Sequence, residues 1–152
     1  MHAYLSSLPS LAGANVAEKE AVALRCLKAF GVEGCLPACN VVMSGDRFQK
    51  WVKDQYPDAV WHTEVHVTAP RAGGGQWAGS IDLLLVLPDG NAVIIDHKSA
   101  PIRRAQCEAK AQSYGGQLLA YGETITRQPL SVRHTWIHFP LAGMMVKLEE
   151  HA

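Results

Sequence analysis

The chain has 152 residues, 48% of them hydrophobic, and its 14 Lys and Arg balance its 14 Asp and Glu. That is enough chain to bury one core without a disulfide framework, and Cys26, Cys35, Cys39 and Cys107 follow neither a paired C-x-x-C nor a dense secreted spacing, which fits a reducing cytoplasm. The longest uninterrupted apolar run, Leu83 to Leu87, is far too short to span a bilayer. The N-terminus has no basic region followed by an apolar core, and zero formal charge excludes coating nucleic acid by bulk electrostatics.

Asn15 and Glu18 read as a capping box, Val22, Cys26, Leu27 and Phe30 fall at helical spacing, and Gly31 suits a C-cap, so a helix is predicted from about Val16 to Phe30. Gly31 to Asn40 reads as loop. Asp46 and Gln49 form another cap pair, Phe48, Trp51, Val52 and Gln55 keep the helical period, and Pro57 ends it, predicting a second helix over about Asp46 to Tyr56. From Val60 to Val67 the pattern alternates, with His62, Glu64 and His66 on one face and Trp61, Val65 and Val67 mostly on the other, as in a half-buried strand. Ala69 to Gly79, with Gly73-Gly74-Gly75 inside it, reads as a flexible hairpin connection; it lacks the Lys-Ser/Thr ending of a phosphate-binding loop.

Ser80 to Leu87 and Ala92 to His97 are two apolar strands joined by Pro88-Asp89-Gly90. This matches a three-residue hairpin loop, a type I turn followed by Gly in the left-handed conformation. Counting back from Leu87 facing Asn91 puts Asp82 opposite Asp96, and Lys98, two residues further on, shares their face. A helix over about Arg103 to Thr126, a strand over Val132 to Phe139, a turn at Pro140 to Gly143 and a strand over Met144 to Leu148 complete the order α-α-β-β-β-α-β-β. We expect an α/β fold with a mixed sheet flanked by helices. It would form a single domain, helical and linker-like over residues 1–45 and with its core over 46–149.

Two Asp on adjacent apolar strands repel each other and resist burial unless something neutralises them. Hard carboxylate oxygens suit Mg²⁺ or Mn²⁺, which polarises a phosphoryl oxygen and activates water, and Lys98 is placed to orient that water or to meet developing charge. Taken singly, each residue reads as a strand-end cap or a surface ion pair; the shared face favours the site. Gln106, Lys110, Ser113, Tyr114, Gln117 and Tyr121 form a polar stripe on the long helix, which reads either as an ordinary solvent face or as a ligand-facing one. Arg103 and Arg104 stand at its start, to meet a phosphate there or simply to be solvated. His62, Glu64 and His66 offer a rival zinc site without an evident fourth ligand; scattered histidines are the plainer reading, as buried thiols are for the cysteines.

Gly79-Ser80-Ile81-Asp82, Ile94-Ile95-Asp96-His97-Lys98 and Gln117-Leu118-Leu119-Ala120-Tyr121, in that order, resemble the PD-(D/E)xK nuclease superfamily. Within it, they resemble the nuclease domain at the C-terminus of RecB- and AddA-like helicase-nucleases. The resemblance is strongest from about Trp61 to Thr124. It implies a restriction-endonuclease-like fold and metal-dependent hydrolysis of DNA, single-stranded or at duplex ends, in repair and recombination. By it Asp82 and Asp96 are metal ligands for Mg²⁺ or Mn²⁺, Lys98 is the catalytic lysine, Glu64 is a further acidic residue of the centre, and Gln117 with Tyr121 contacts DNA and braces the site. Tyr114, Lys110, Arg103 and Arg104 extend the DNA-facing surface. A helicase domain or subunit is the implied partner, the chain being a fragment of such an enzyme or a stand-alone relative. Many members carry a metal-binding His four residues after a glycine; here Gly45 is followed by Gln49. A catalytically inactive nuclease-fold module that binds DNA or scaffolds a complex is therefore the alternative.

Overall fold

The capping box at the first predicted helix forms as read. The Asn15 side chain accepts the Glu18 N–H at 3.0 Å, while Glu18 Oε2 accepts the Asn15 N–H at 2.8 Å. This computed structural model describes residues 1–70, 74–126 and 130–148. The chain divides into two compact units, Met1–Pro57 and Asp58–Ala152.

The first unit comprises α1 (His2–Ser6), a 3₁₀ turn at Leu8–Leu11, α2 (Val16–Ala29) and α3 (Ala38–Gln55). The last of these starts eight residues before the Asp46 expected to begin it. Asp46 is not a cap at all: its carboxylate takes Lys19 Nζ at 2.7 Å, tying α3 to α2, and Pro37 starts the helix instead. Gly45, inside α3, lets the helix close on the buried Tyr4, since a Cβ there would stand 2.7 Å from Tyr4 Cε1. This helix lies entirely within the first compact unit, which runs on to Pro57.

The second unit is a five-stranded mixed sheet in the order β1-β2-β3-β4-β5, with strands Val60–Pro70, Gln76–Val86, Asn91–His97, Ser131–Phe139 and Met144–Leu148. All pairings are antiparallel except β3–β4, whose parallel crossover carries α4 (Cys107–Gln112) and α5 (Gly115–Thr126). Leu84, Ala92 and Ile94 from the sheet's centre meet Ile137, Phe139 and Val146 on one side, and Cys107, Ala111, Leu118, Tyr121 and Ile125 of the helices close over them. The architecture is thus α/β with an open mixed sheet, and the strands agree with the predicted set.

The hairpin register is also as counted. Gly90, at φ +81°, donates its N–H to the Leu87 carbonyl at 3.0 Å, the Leu87 N–H bonds back to the Asn91 carbonyl at 2.8 Å, and Leu83 pairs with Ile95 four rungs on. The Asp89 carboxylate accepts the Asn91 N–H at 3.0 Å, an Asx turn that rigidifies the loop. The predicted helix over Arg103–Thr126 is not continuous. It begins as a 3₁₀ turn at Arg104–Gln106, runs as α4, breaks at Ser113–Tyr114 and resumes as α5. At the break the Ser113 hydroxyl donates to the Lys110 carbonyl at 2.7 Å, competing with the helical ladder just before two glycines that lack helix propensity.

Of the hairpin connection expected over Ala69 to Gly79, residues 71–73 lie outside the described residues, and strand pairing extends well into it, to Pro70 opposite Gln76.

Candidate functional site

The site grows from the place where β2 and β3 stop pairing. Leu83–Ile95 is the last rung of their ladder, and the next residues outward are Asp82 and Asp96. Beyond it a side chain replaces the backbone: Asp82 Oδ2 accepts the His97 N–H at 2.7 Å. On its other side the end of β3 stays bound to β4, with the Lys98 N–H donating to the His138 carbonyl at 2.8 Å. The end of β3, which carries Asp96, is thereby held from both sides, by the Asp82 carboxylate and by β4.

Ile81 and Leu84 both join the core under α4 and α5 although they differ by an odd number of residues, so β2 rotates between them. The partner strand shows where. Thr63 pairs with Leu83 and Val65 with Ile81, while Glu64, between them and so opposite Asp82, has φ +53°. A residue with a Cβ enters that left-handed region at a cost of about 1 kcal/mol. The bend brings carboxylate oxygens of Glu64 and Asp82 within 4.8 Å of one another, and the Ser80 hydroxyl donates to Glu64 Oε2 at 3.5 Å.

Asp96 is the most enclosed acid, with 3% of its side chain exposed. Its buried Oδ2 accepts no aligned hydrogen bond from the described residues, and the charge it meets is that of Lys98, whose Nζ stands 2.7 Å away. Lys98 keeps 21% of its side chain exposed and also lies over the Tyr114 ring, 4.7 Å from its centre. Lys110 Nζ is 5.1 Å from the centre of the same ring. Glu64 and Asp82 bring two carboxylates together, and the buried Asp96 oxygen beside Lys98 lies one residue past the last rung of the ladder; carboxylate oxygens of this kind suit a hard divalent cation.

Gln117 and Tyr121 share a face of α5, as their spacing requires, and Gln117 Nε2 donates to Tyr121 Oη at 2.6 Å. The Tyr121 ring itself is buried, packed 5.3 Å from Trp77 and above Gly79, where a Cβ would stand 2.8 Å from Tyr121 Cε1. It braces α5 against β2, with Gln117 as the exposed member. The break at Ser113–Tyr114 divides the expected stripe: Tyr114 turns to Lys98, while Gln106 acts locally, its Oε1 accepting the Arg103 N–H at 3.0 Å. Arg104 Nη2 donates to the Gly143 carbonyl at 3.1 Å, and both arginines open a 3₁₀ turn and a six-residue helix rather than a long one.

His62, Glu64 and His66 line the exposed side of β1, and among the described residues their ligand atoms do not gather. All four cysteines are free thiols, with Cys107 in the core of the second unit. Gln49, in the first unit, donates to the Leu8 carbonyl at 3.5 Å.

Sequence reasoning missed one buried pair. His97 and His138, opposite each other on the parallel strands, bring their Nδ1 atoms to 3.0 Å, and burial pushes His138 down to about 3. At that distance one Nδ1 donates and the other accepts. Finding it required the parallel β3–β4 register, which no short loop dictates. Comparison of the chain with protein-family models and with curated proteins finds no match.

Proposed function

We propose that the second unit is a metal-dependent deoxyribonuclease domain that hydrolyses phosphodiester bonds in DNA, a PD-(D/E)xK nuclease of restriction-endonuclease-like fold. The observation that carries this reading is the buried Asp96 oxygen beside Lys98, one residue past the last β2–β3 rung, with Asp82 where the same ladder ends and Glu64 beside Asp82. The order of the acids and lysine along the chain, and the Gln117–Tyr121 pair on the following helix, support it further.

In this reading Asp82, Asp96 and Glu64 would hold Mg²⁺ or Mn²⁺, which supplies an activated water and neutralises charge on the phosphoryl oxygens when bound. The chain's own groups do the rest. Asp82, bonded to the His97 N–H, is held toward the end of β3. Lys98 stands beside Asp96 with part of its side chain open to solvent, where an ammonium orients a water or meets negative charge on an attacked phosphate. Gln117 presents an amide to the strand of DNA. Zero net charge suits a domain to which DNA is delivered by a helicase partner.

The test incubates the purified chain with end-labelled single-stranded DNA and with blunt duplex, in Mg²⁺ or Mn²⁺, beside Asp96→Ala, Lys98→Ala and an EDTA blank. Metal-dependent cleavage abolished by both substitutions is the expected result. The second reading, a silent DNA-binding module, is favoured by Gln49, whose amide is turned to the Leu8 carbonyl. It predicts DNA binding that survives Asp96→Ala, with neither cleavage nor divalent-ion binding.

A further inference from the structure

Two lysines rest on one aromatic ring. Lys98 Nζ is 4.7 Å and Lys110 Nζ 5.1 Å from the centre of Tyr114. The ring's negative face attracts both ammonium groups, but their circumstances differ. Lys98 is partly enclosed and meets Asp96 at 2.7 Å, whereas Lys110 is exposed and has no carboxylate at ion-pair distance among the described residues. Tyr114 reaches this place because the helix breaks: its N–H bonds to the Ala111 carbonyl, its carbonyl takes the N–H groups of Gln117 and Leu118, and Gly115 and Gly116 follow.

We propose that Tyr114 is the positioning residue of the nuclease site, sorting two cations on one ring: it holds Lys98 inward beside Asp96 and presents Lys110 outward to a phosphate of the DNA strand next to the one attacked. The proposal rests on the nuclease reading for its substrate and on the ring geometry for its mechanism. The work of Tyr114 is done by the ring face rather than by the hydroxyl, so Phe replaces it and Leu does not. Without the ring, Lys98 keeps its ion pair but loses the surface that restricts its four-carbon stem, and a loosely held ammonium serves the chemical step less well. Lys110 has no acid to hold it, so its contribution goes to binding. Removing it raises KM and weakens the salt dependence, leaving kcat alone.

The experiment compares Tyr114→Phe, Tyr114→Leu and Lys110→Gln with the unaltered chain, after thermal melts confirm that each folds. One readout needs no activity. Methylene protons of a lysine held over a ring are displaced upfield, and the Lys98 signal is assigned by its loss in Lys98→Arg. We expect the displacement in the unaltered chain and in Tyr114→Phe, and its loss in Tyr114→Leu. With single-stranded DNA and Mn²⁺, Tyr114→Leu should lose about tenfold in kcat, a loss that Phe restores. Lys110→Gln should raise KM about threefold to tenfold at constant kcat. A Lys98 signal without upfield displacement in the unaltered chain overturns the clamp whatever the activity. A cleaving chain whose Tyr114→Leu form cleaves equally fast overturns the positioning role while leaving the nuclease reading intact. An unaltered chain that shows the displacement and cleaves nothing refutes the nuclease reading and with it the catalytic half of the proposal.

Discussion

Replacing Lys98 by Met should cost far more stability than replacing Asp96 by Asn, although both break the same ion pair. Asp96 has 3% of its side chain exposed and its Oδ2 has no aligned donor, so removing Lys98 leaves a buried carboxylate facing no opposite charge. Losing one partner of a fully buried pair costs about 3–5 kcal/mol; with Lys98 at 21% exposure, part of that is already met by water, and we expect about 2–4 kcal/mol. Asp96→Asn leaves an ammonium that can turn toward solvent along its own stem, at a cost of about 1 kcal/mol or less. The measurement is urea unfolding at neutral pH in EDTA, followed at the amide signals of Ile94 and Ile95 so that the second unit is read by itself. Mn²⁺ adds a second arm. In Lys98→Met the acids face no ammonium, so Mn²⁺ at a hundredfold excess over its Kd should return about 2.7 kcal/mol. Equal losses for the two substitutions would refute the assignment of Asp96 as the enclosed partner, and a Lys98→Met chain indifferent to Mn²⁺ would refute the reading of these acids as a cation site.

Gly79→Ala would place a Cβ 2.8 Å from Tyr121 Cε1 and 3.0 Å from the Trp77 ring, both fixed by packing, so we expect a loss of about 1–3 kcal/mol in thermal stability, relieved in part by Tyr121→Leu. Gly90→Ala, at φ +81°, should cost about 1–2 kcal/mol by urea titration without altering the register, since the Asx turn and the Leu87–Asn91 bonds remain. His138, pushed down to about 3 by burial, stays neutral in the folded chain while its unfolded counterpart takes a proton below about 6.5. The unfolded state binds more protons in that window, so stability is unaffected by this group above it and falls progressively as pH drops below about 6.5. His138→Gln should flatten this slope of the urea midpoint; an unchanged slope would show that other groups set it.

The parts of the fold read correctly from the sequence are those dictated by neighbours in the chain. The Asn15–Glu18 box, the β1 alternation and the Pro88-Asp89-Gly90 loop each involve residues a few positions apart, and the loop alone was enough to set the register as far as Leu83–Ile95, with Asp82 and Asp96 the next residues beyond it. Asp46 misled because a carboxylate beside an amphipathic run fits a cap and a mid-helix ion pair equally well, and Lys19, its partner, is 27 residues away. The helix break escaped notice because Ser113, Tyr114, Gly115 and Gly116 keep the apolar period through Ala111, Leu118 and Ile125 while withdrawing the local support for it. What periodicity reports is which side faces the core, and that side is continuous across the break.

That distinction bears on how the site is assembled. Leu83–Ile95 is where a hairpin of fixed register ceases to pair, and three features compensate for the lost ladder: a carboxylate bonded to the His97 N–H, a β4 carbonyl bonded to the Lys98 N–H, and a left-handed Glu64 on the neighbouring strand. Each leaves a charged side chain at the gap. Tyr121 is locked under Trp77 and Gly79, so α5 has little freedom relative to β2, and the residue that adapts to the gap is the one at the helix break. An uninterrupted helix through Ser113 would tie the direction of Tyr114 to that of Tyr121, two turns on and committed to the core. Breaking the helix frees Tyr114 to meet Lys98 while Tyr121 stays buried. The irregular backbone at Glu64 and at Ser113–Tyr114 thus belongs to the same device as the regular hairpin, and restoring regularity at either position, by Glu64→Val or by Ser113→Ala with Gly115→Ala, should strengthen the secondary structure and disperse the charged cluster.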